Sequence, residues 1–263
     1  MRAPALAVLV ALALPSLAGA APPRSGVVHA AVPPGTPLVK QGLQLYAGNC
    51  ATCHGDRGQG IVATSTSRGA GAQQGAGPSL ADSGALGADF YLRTGYMPLG
   101  HVGDEPHRSQ VLFSDREIRA LVAYVASLGK GPRIPKPHPE RGDLSVGLRQ
   151  FTEHCAGCHQ VVAKGGYVTN AVAPALDRAT PTQIAEAVRI GPYLMPRFSR
   201  RAISDAKLDS IIAYVQYAKH PADRGGWSIG RIGPVPEGLV AWLIAAGVLV
   251  AVCVVIGERH QHE

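Results

Sequence analysis

Cys50-Ala51-Thr52-Cys53-His54 and, 105 residues further on, Cys155-Ala156-Gly157-Cys158-His159 are the two stretches that organise this chain. Each pentapeptide occupies the same place in a longer pattern. Gly42 and Tyr46 precede Cys50 by eight and four residues, and Gly147 and Phe151 precede Cys155 by the same distances. Downstream, Gly77-Pro78-Ser79-Leu80 matches Ala173-Pro174-Ala175-Leu176, Arg93-Thr94-Gly95 matches Arg189-Ile190-Gly191, and Met97-Pro98 matches Met195-Pro196. Ser114-Asp115 then opens a segment bearing Leu121 and Tyr124, as Ser204-Asp205 opens one bearing Ile211 and Tyr214. Six correspondences in one order make the middle of the chain an internal duplication.

The spacing within each repeat is helical. Residues 38–50 and 145–155 read as short helices running into the cysteine motifs. Ser114 and Ser204 are good N-caps, and Glu117 completes a capping box with Ser114. Behind them Ile118, Leu121, Val122 and Val125 recur at helical intervals, as do Leu208, Ile211, Ile212 and Val215. The expected fold is all-α, with one small domain over 38–129 and a second over 145–220. Between them, residues 130–144 hold Pro132, Pro135, Pro137 and Pro139 and read as a stiff, extended linker. A loop rich in Gly, Ala, Ser and Gln (Gly58–Gly77) lengthens the first domain: 24 residues separate His54 from Pro78, against 15 from His159 to Pro174.

Composition points the same way. Of 263 residues, 46% are hydrophobic but only 5% aromatic, with 32 Gly and 21 Pro, which suits small domains whose cores need help from a bound group. The net charge of +7 is uneven: residues 38–129 carry seven basic and seven acidic side chains, residues 146–220 nine and five. Lys/Arg runs interleaved with stacking aromatics are missing, which argues against nucleic acid. The excess on the second domain reads as a docking face for an acidic partner.

The two ends differ. Met1-Arg2, an apolar run from Ala3 to Leu14, Pro15 and Ala18-Gly19-Ala20-Ala21 describe a secretory signal peptide over residues 1–20. An uncleaved anchor is the rival reading, weakened by Pro15 and the shortness of the run. Near the C-terminus, residues 238–257 carry no charge and are long enough for a transmembrane helix, with Trp227 and Trp242 at its N-terminal side. The export signal then puts the domains on the extracytoplasmic side of a cell membrane and Glu258–Glu263 in the cytoplasm.

Two cysteines in Cys-x-x-Cys-His can add to the vinyl groups of haem, leaving the adjacent His to ligate iron. Structural zinc wants four ligands close together, whereas these pairs belong to separate repeats; a thioredoxin-like redox pair would need a βαβ pattern. Two covalent haem c groups are therefore expected, on Cys50 and Cys53 and on Cys155 and Cys158, with His54 and His159 as axial ligands. After signal removal the chain keeps two methionines, Met97 and Met195, at matched positions before proline. Matched placement argues for axial ligation rather than core filling. Filled axial positions favour electron transfer over catalysis at the metal. For the first site, His101 or His107 could displace Met97.

With glycine and aromatic on the first helix, the haem motif, the proline turn, Met-Pro and an aromatic on the last helix, each repeat resembles a class I cytochrome c. The resemblance implies that Pro78 and Pro174 orient the proximal histidines. It also implies that first and last helices cross through Gly42/Tyr46 with Leu121/Tyr124, and through Gly147/Phe151 with Ile211/Tyr214. The full order of signal peptide, two such domains and one C-terminal membrane helix is similar to the dihaem cytochrome c subunit of the bcc-type quinol–cytochrome c reductase of actinobacteria. Gly233-Pro234-Val235-Pro236-Glu237-Gly238 and Leu194-Met195-Pro196-Arg197-Phe198-Ser199 add to the match. That family implies a cytochrome b subunit, a Rieske iron–sulfur subunit and a terminal haem-copper oxidase as partners. It implies electron transfer as part of an enzyme complex, with no catalytic chemistry in this chain alone. Alternatives are the dihaem subunit of an oxidase or membrane dehydrogenase, or a dihaem enzyme such as a peroxidase, which would need an open axial site.

Overall fold

A computed structural model describes residues 26–62, 75–100, 104–220 and 234–261. The first domain runs α1 (Leu38–Asn49), α2 (Ala51–His54), α3 (Gly84–Arg93) and α4 (Asp115–Ser127), with a short ladder of β1 (Ile61–Val62) and β2 (Gly75–Gly77). The second repeats it with α5 (Leu144–His154), α6 (Ala156–His159), β3 (Gly166–Val168), β4 (Ala171–Ala173), α7 (Pro181–Ile190) and α8 (Asp205–Lys219). Both ladders are antiparallel pairs. The architecture is predominantly helical, as the sequence implies; the ladders and the helices α3 and α7 are additions to the pattern read there.

In each domain the first helix packs across the last, α1 on α4 and α5 on α8. Glycine makes the crossing close: a Cβ on Gly42 would collide with the Ala120 carbonyl, and one on Gly147 with the Ser210 carbonyl. Four residues on, the aromatics meet. Tyr46 stacks on Tyr124 at 5.0 Å between ring centroids, and Phe151 on Tyr214 at 5.3 Å. Around these contacts lie two cores, one with Leu45, Ile118, Leu121 and Val125, the other with Ile184, Val188, Ile203, Leu208, Ile211 and Val215.

The caps follow the chemistry of the sequence. Ser114 and Glu117 form the reciprocal box at α4, and Ser204 accepts from the Lys207 amide at α8. A further box, Thr180 with Gln183, starts α7 behind Pro181 in its first turn. The proline-rich stretch is fastened at both ends. Leu86 donates its amide to the Pro132 carbonyl at 3.1 Å, while the His138 amide reaches Asp209 Oδ1 at 2.7 Å and the Asp143 amide Ser210 Oγ at 3.1 Å. Extended backbone has no partners of its own, so each domain supplies them.

The last helix, α9 (Pro234–Gln261), contains Gly238–Arg259, which is long and apolar enough to cross a membrane and is 0% buried against the rest of the chain. The expected signal peptide and most of the Gly-rich loop lie outside the described residues.

Candidate haem sites

Each site is built from the end of the first helix. Cys50 donates its amide to Tyr46 O at 2.8 Å, and one further turn closes with His54 N to Cys50 O at 2.9 Å. The second site repeats this with Cys155 N to Phe151 O at 2.8 Å and His159 N to Cys155 O at 2.9 Å. A single helical turn therefore holds the two thiols three residues apart and the imidazole beside the second.

The histidine rings are oriented from outside that turn. His54 Nδ1 lies 2.8 Å from Pro78 O, and His159 Nδ1 lies 3.0 Å from Pro174 O. A carbonyl can only accept, so Nδ1 carries the hydrogen and Nε2 keeps its lone pair for a metal. Gly77 lets the proline strand come this near: a Cβ there would stand 2.7 Å from Cys53 O and 2.9 Å from His54 Nδ1. Burial holds His159 in its neutral form, against the pull of the Pro174 carbonyl.

The first thiol of each pair is neutral as well. Burial, with the neighbouring thiol second, pushes Cys50 up to about 11 and Cys155 up to about 12. Among the described residues, no three or more His, Cys, Asp and Glu side chains gather as a self-sufficient metal site. Haem c fits this donor set: two thiols on one helical turn, one oriented imidazole and an apolar core beside them.

Met97 and Met195 arrive on separate loops after α3 and α7. Each loop turns at a glycine in the left-handed region, Gly95 at φ 70° and Gly191 at φ 65°. Met97 N bonds Tyr91 O at 3.1 Å and Met195 N bonds Pro192 O at 3.0 Å, and both side chains are half-buried. Met195 packs on the second core, as do Cys155, Ala156 and Leu176. Of the rival donors, His107 Nδ1 turns back to Glu105 O at 3.0 Å, and His101 lies outside the described residues. His29, unremarkable in the sequence, pairs with Glu117 at 2.9 Å and ties the N-terminal segment to α4.

One feature of the loops is exchanged between the repeats. Tyr46 on α1 donates its hydroxyl to Gly55 O at 2.6 Å. The equivalent Phe151 has none, and Tyr214 on α8 instead donates to Val161 O at 2.7 Å. The mismatch of Tyr46 with Phe151 is the sequence signal for this exchange; its outcome depends on the facing helix.

Comparison with known proteins meets this geometry. The model of the cytochrome c family matches residues 39–129, and that of cytochrome c oxidase, cbb3-type, subunit III matches residues 142–215. The chain thus comprises two cytochrome c domains, each binding one haem c covalently, and its work is electron transfer. It is 33% identical over 240 residues to the cytochrome bc1 complex cytochrome c subunit of Corynebacterium diphtheriae, covering 84% of this chain and 81% of that one. To the subunit of the same name from Mycobacterium tuberculosis it is 34% identical, covering 84% and 78%. A cbb3-type cytochrome c oxidase subunit CcoP from Azospirillum is 28% identical, covering 66% and 60%. The chain belongs to the family of cytochrome bc1 complex cytochrome c subunits.

Proposed function

We propose that this chain is the fixed electron wire of a quinol-oxidising complex, taking electrons from a Rieske iron–sulfur subunit seated with a cytochrome b and delivering them to a terminal haem-copper oxidase. The observation that carries this reading is the tether. Both haem domains precede one exposed apolar helix, so each next partner meets them at high effective concentration and no diffusing carrier is needed. The domains, with boundaries at 38–129 and 145–220, stand on the extracytoplasmic side, and the tail after the helix is cytoplasmic. The chain is then a component of an enzyme complex without catalysis of its own.

At the sites, Cys50 with Cys53 and Cys155 with Cys158 would hold haem c by thioethers, and its iron would be held by Nε2 of His54 or His159 and by the thioether sulfur of Met97 or Met195. Bound haem c supplies the one-electron couple. The chain's own residues set its character: Pro78 and Pro174 fix the imidazole tautomer, and methionine as second ligand favours the ferrous form. Arg197 and Arg201, exposed just beyond Met195, offer positive charge to an acidic partner, while Arg200 is engaged with Asp205 at 3.1 Å.

Affinity purification in mild detergent tests the wire. It should recover a cytochrome b, a Rieske protein and oxidase subunits with this chain, and the preparation should couple quinol oxidation to oxygen reduction without added cytochrome c. Recovery with oxidase subunits alone would favour the CcoP-like alternative. Dependence on soluble cytochrome c would defeat the wire.

A further inference from the structure

The two domains meet where α3 lies against α7. Gln183 Nε2 donates to Arg93 O at 3.4 Å, and Arg108 Nη2 donates to Gln183 Oε1 at 3.4 Å and to Arg178 O at 3.3 Å. In the middle of this contact stands Glu186, with 0% of its surface exposed. Neither of its carboxyl oxygens receives a hydrogen bond from any donor among the described residues. The group it faces is Asp89 of α3, itself 5% exposed.

Two carboxylates only accept, so they cannot bond one another; a proton between them makes one a donor. Arg93 chooses which. Its Nε holds Asp89 Oδ1 at 2.8 Å, and its Nη1 reaches Asp115 Oδ1 at 2.8 Å, so the guanidinium stabilises the Asp89 anion and leaves Glu186 without a cation of its own. Among the described residues, other charged groups near α7 have partners of their own. Arg108 serves Gln183, Lys219 of α8 donates to Ala179 O at 2.6 Å, and Asp205 of α8 takes Arg189 at 2.7 Å and Arg200 at 3.1 Å. Burial first and the Asp89 charge second push Glu186 up to about 9, with Arg93 opposing.

We propose that Glu186 is protonated at neutral pH and donates to Asp89, and that this acid–carboxylate hydrogen bond latches the first haem domain to the second. Loss of the proton leaves two buried negative charges beside one guanidinium, and α3 separates from α7. The linker, bound to both domains, then becomes the remaining fixed connection. The latch makes the relative placement of the two haem-bearing loops a function of pH.

The test uses the full-length, haem-loaded protein in detergent. Infrared spectra of wild type and Glu186→Gln are compared from mildly acidic pH to pH 10, together with hydrogen exchange of residues 84–93 and 181–190 corrected for intrinsic rate. A protonated-carboxyl C=O band should be present in wild type at neutral pH, absent from E186Q, and lost as the pH passes about 9. From mildly acidic pH up to about 9 the two helices of wild type should lose protection by up to about tenfold per pH unit, levelling off beyond it. E186Q, whose amide donates to Asp89 without titrating, should show no such loss. Absence of the band at neutral pH overturns the proposal, as does an interface that stays protected after the band is gone. Should E186Q not fold, those two wild-type measurements still decide.

Discussion

Gly147→Ala is the substitution whose outcome separates tertiary from local reasoning. Helix propensity alone says that alanine in place of glycine within α5 gains about 1 kcal/mol. The crossing says the opposite. The new Cβ would overlap the Ser210 carbonyl and stand 2.9 Å from Tyr214 Cβ, and most of what it strikes is backbone that cannot rotate away. α5 must back off α8, at the ~1–3 kcal/mol typical of overpacked cores. The retreat also loosens the Phe151–Tyr214 contact, now at 5.3 Å, worth ~0.5–1.5 kcal/mol. Subtracting the propensity gain leaves a net loss of about 2 kcal/mol, or roughly 10 °C in the melting temperature of a domain this small. Scanning calorimetry of the haem-loaded protein should show the second domain's transition moved down and the first left in place. Gly42→Ala, which strikes the Ala120 carbonyl, should do the reverse. An unchanged or raised transition in G147A would refute the close crossing.

Met195→His should lower the second haem's potential in a redox titration, because imidazole lacks the thioether's preference for ferrous iron; an unchanged potential would make Met195 core only. Tyr214→Phe removes the hydroxyl held by Val161 O at 2.7 Å and should cost about 1 kcal/mol in denaturant unfolding, with no matching loss from Tyr124→Phe. For pH, the sign follows from Glu186 being raised from 4.5 to about 9: the native state keeps a proton that the unfolded chain releases. Its contribution is complete below pH 4.5 and is lost as pH rises towards 9, at up to about 1.4 kcal/mol per unit. Wild type minus E186Q stability should therefore fall across that window, and a flat difference would show that Glu186 is charged. Gly77→Ala should lengthen the His54–Pro78 bond and shift the first haem's potential, which redox titration would detect.

Much of this protein is written locally. Cys-x-x-Cys-His needs only one helical turn to bring thiols and imidazole together, so four residues of spacing carry the site. The Ser-Asp starts of α4 and α8 are legible because an N-cap has the same meaning in any context, whereas the helix crossing at the Gly-aromatic pairs is implied by the resemblance to class I cytochrome c. The apolar run before Arg259 is legible for a similar reason: hydrocarbon thickness asks for length and absence of charge, which are properties of a line. Other features have no linear signature. Which tyrosine hydroxyl closes the haem loop, Tyr46 or Tyr214, depends on which helix faces it across the domain. Lone Glu186, between Ala185 and Ala187, looks like an ordinary solvated acid in the sequence. Its meaning comes from Asp89, 97 residues away, and from the exclusion of water when α3 closes on α7. Burial is a property of what covers a residue, and only the packed chain decides that.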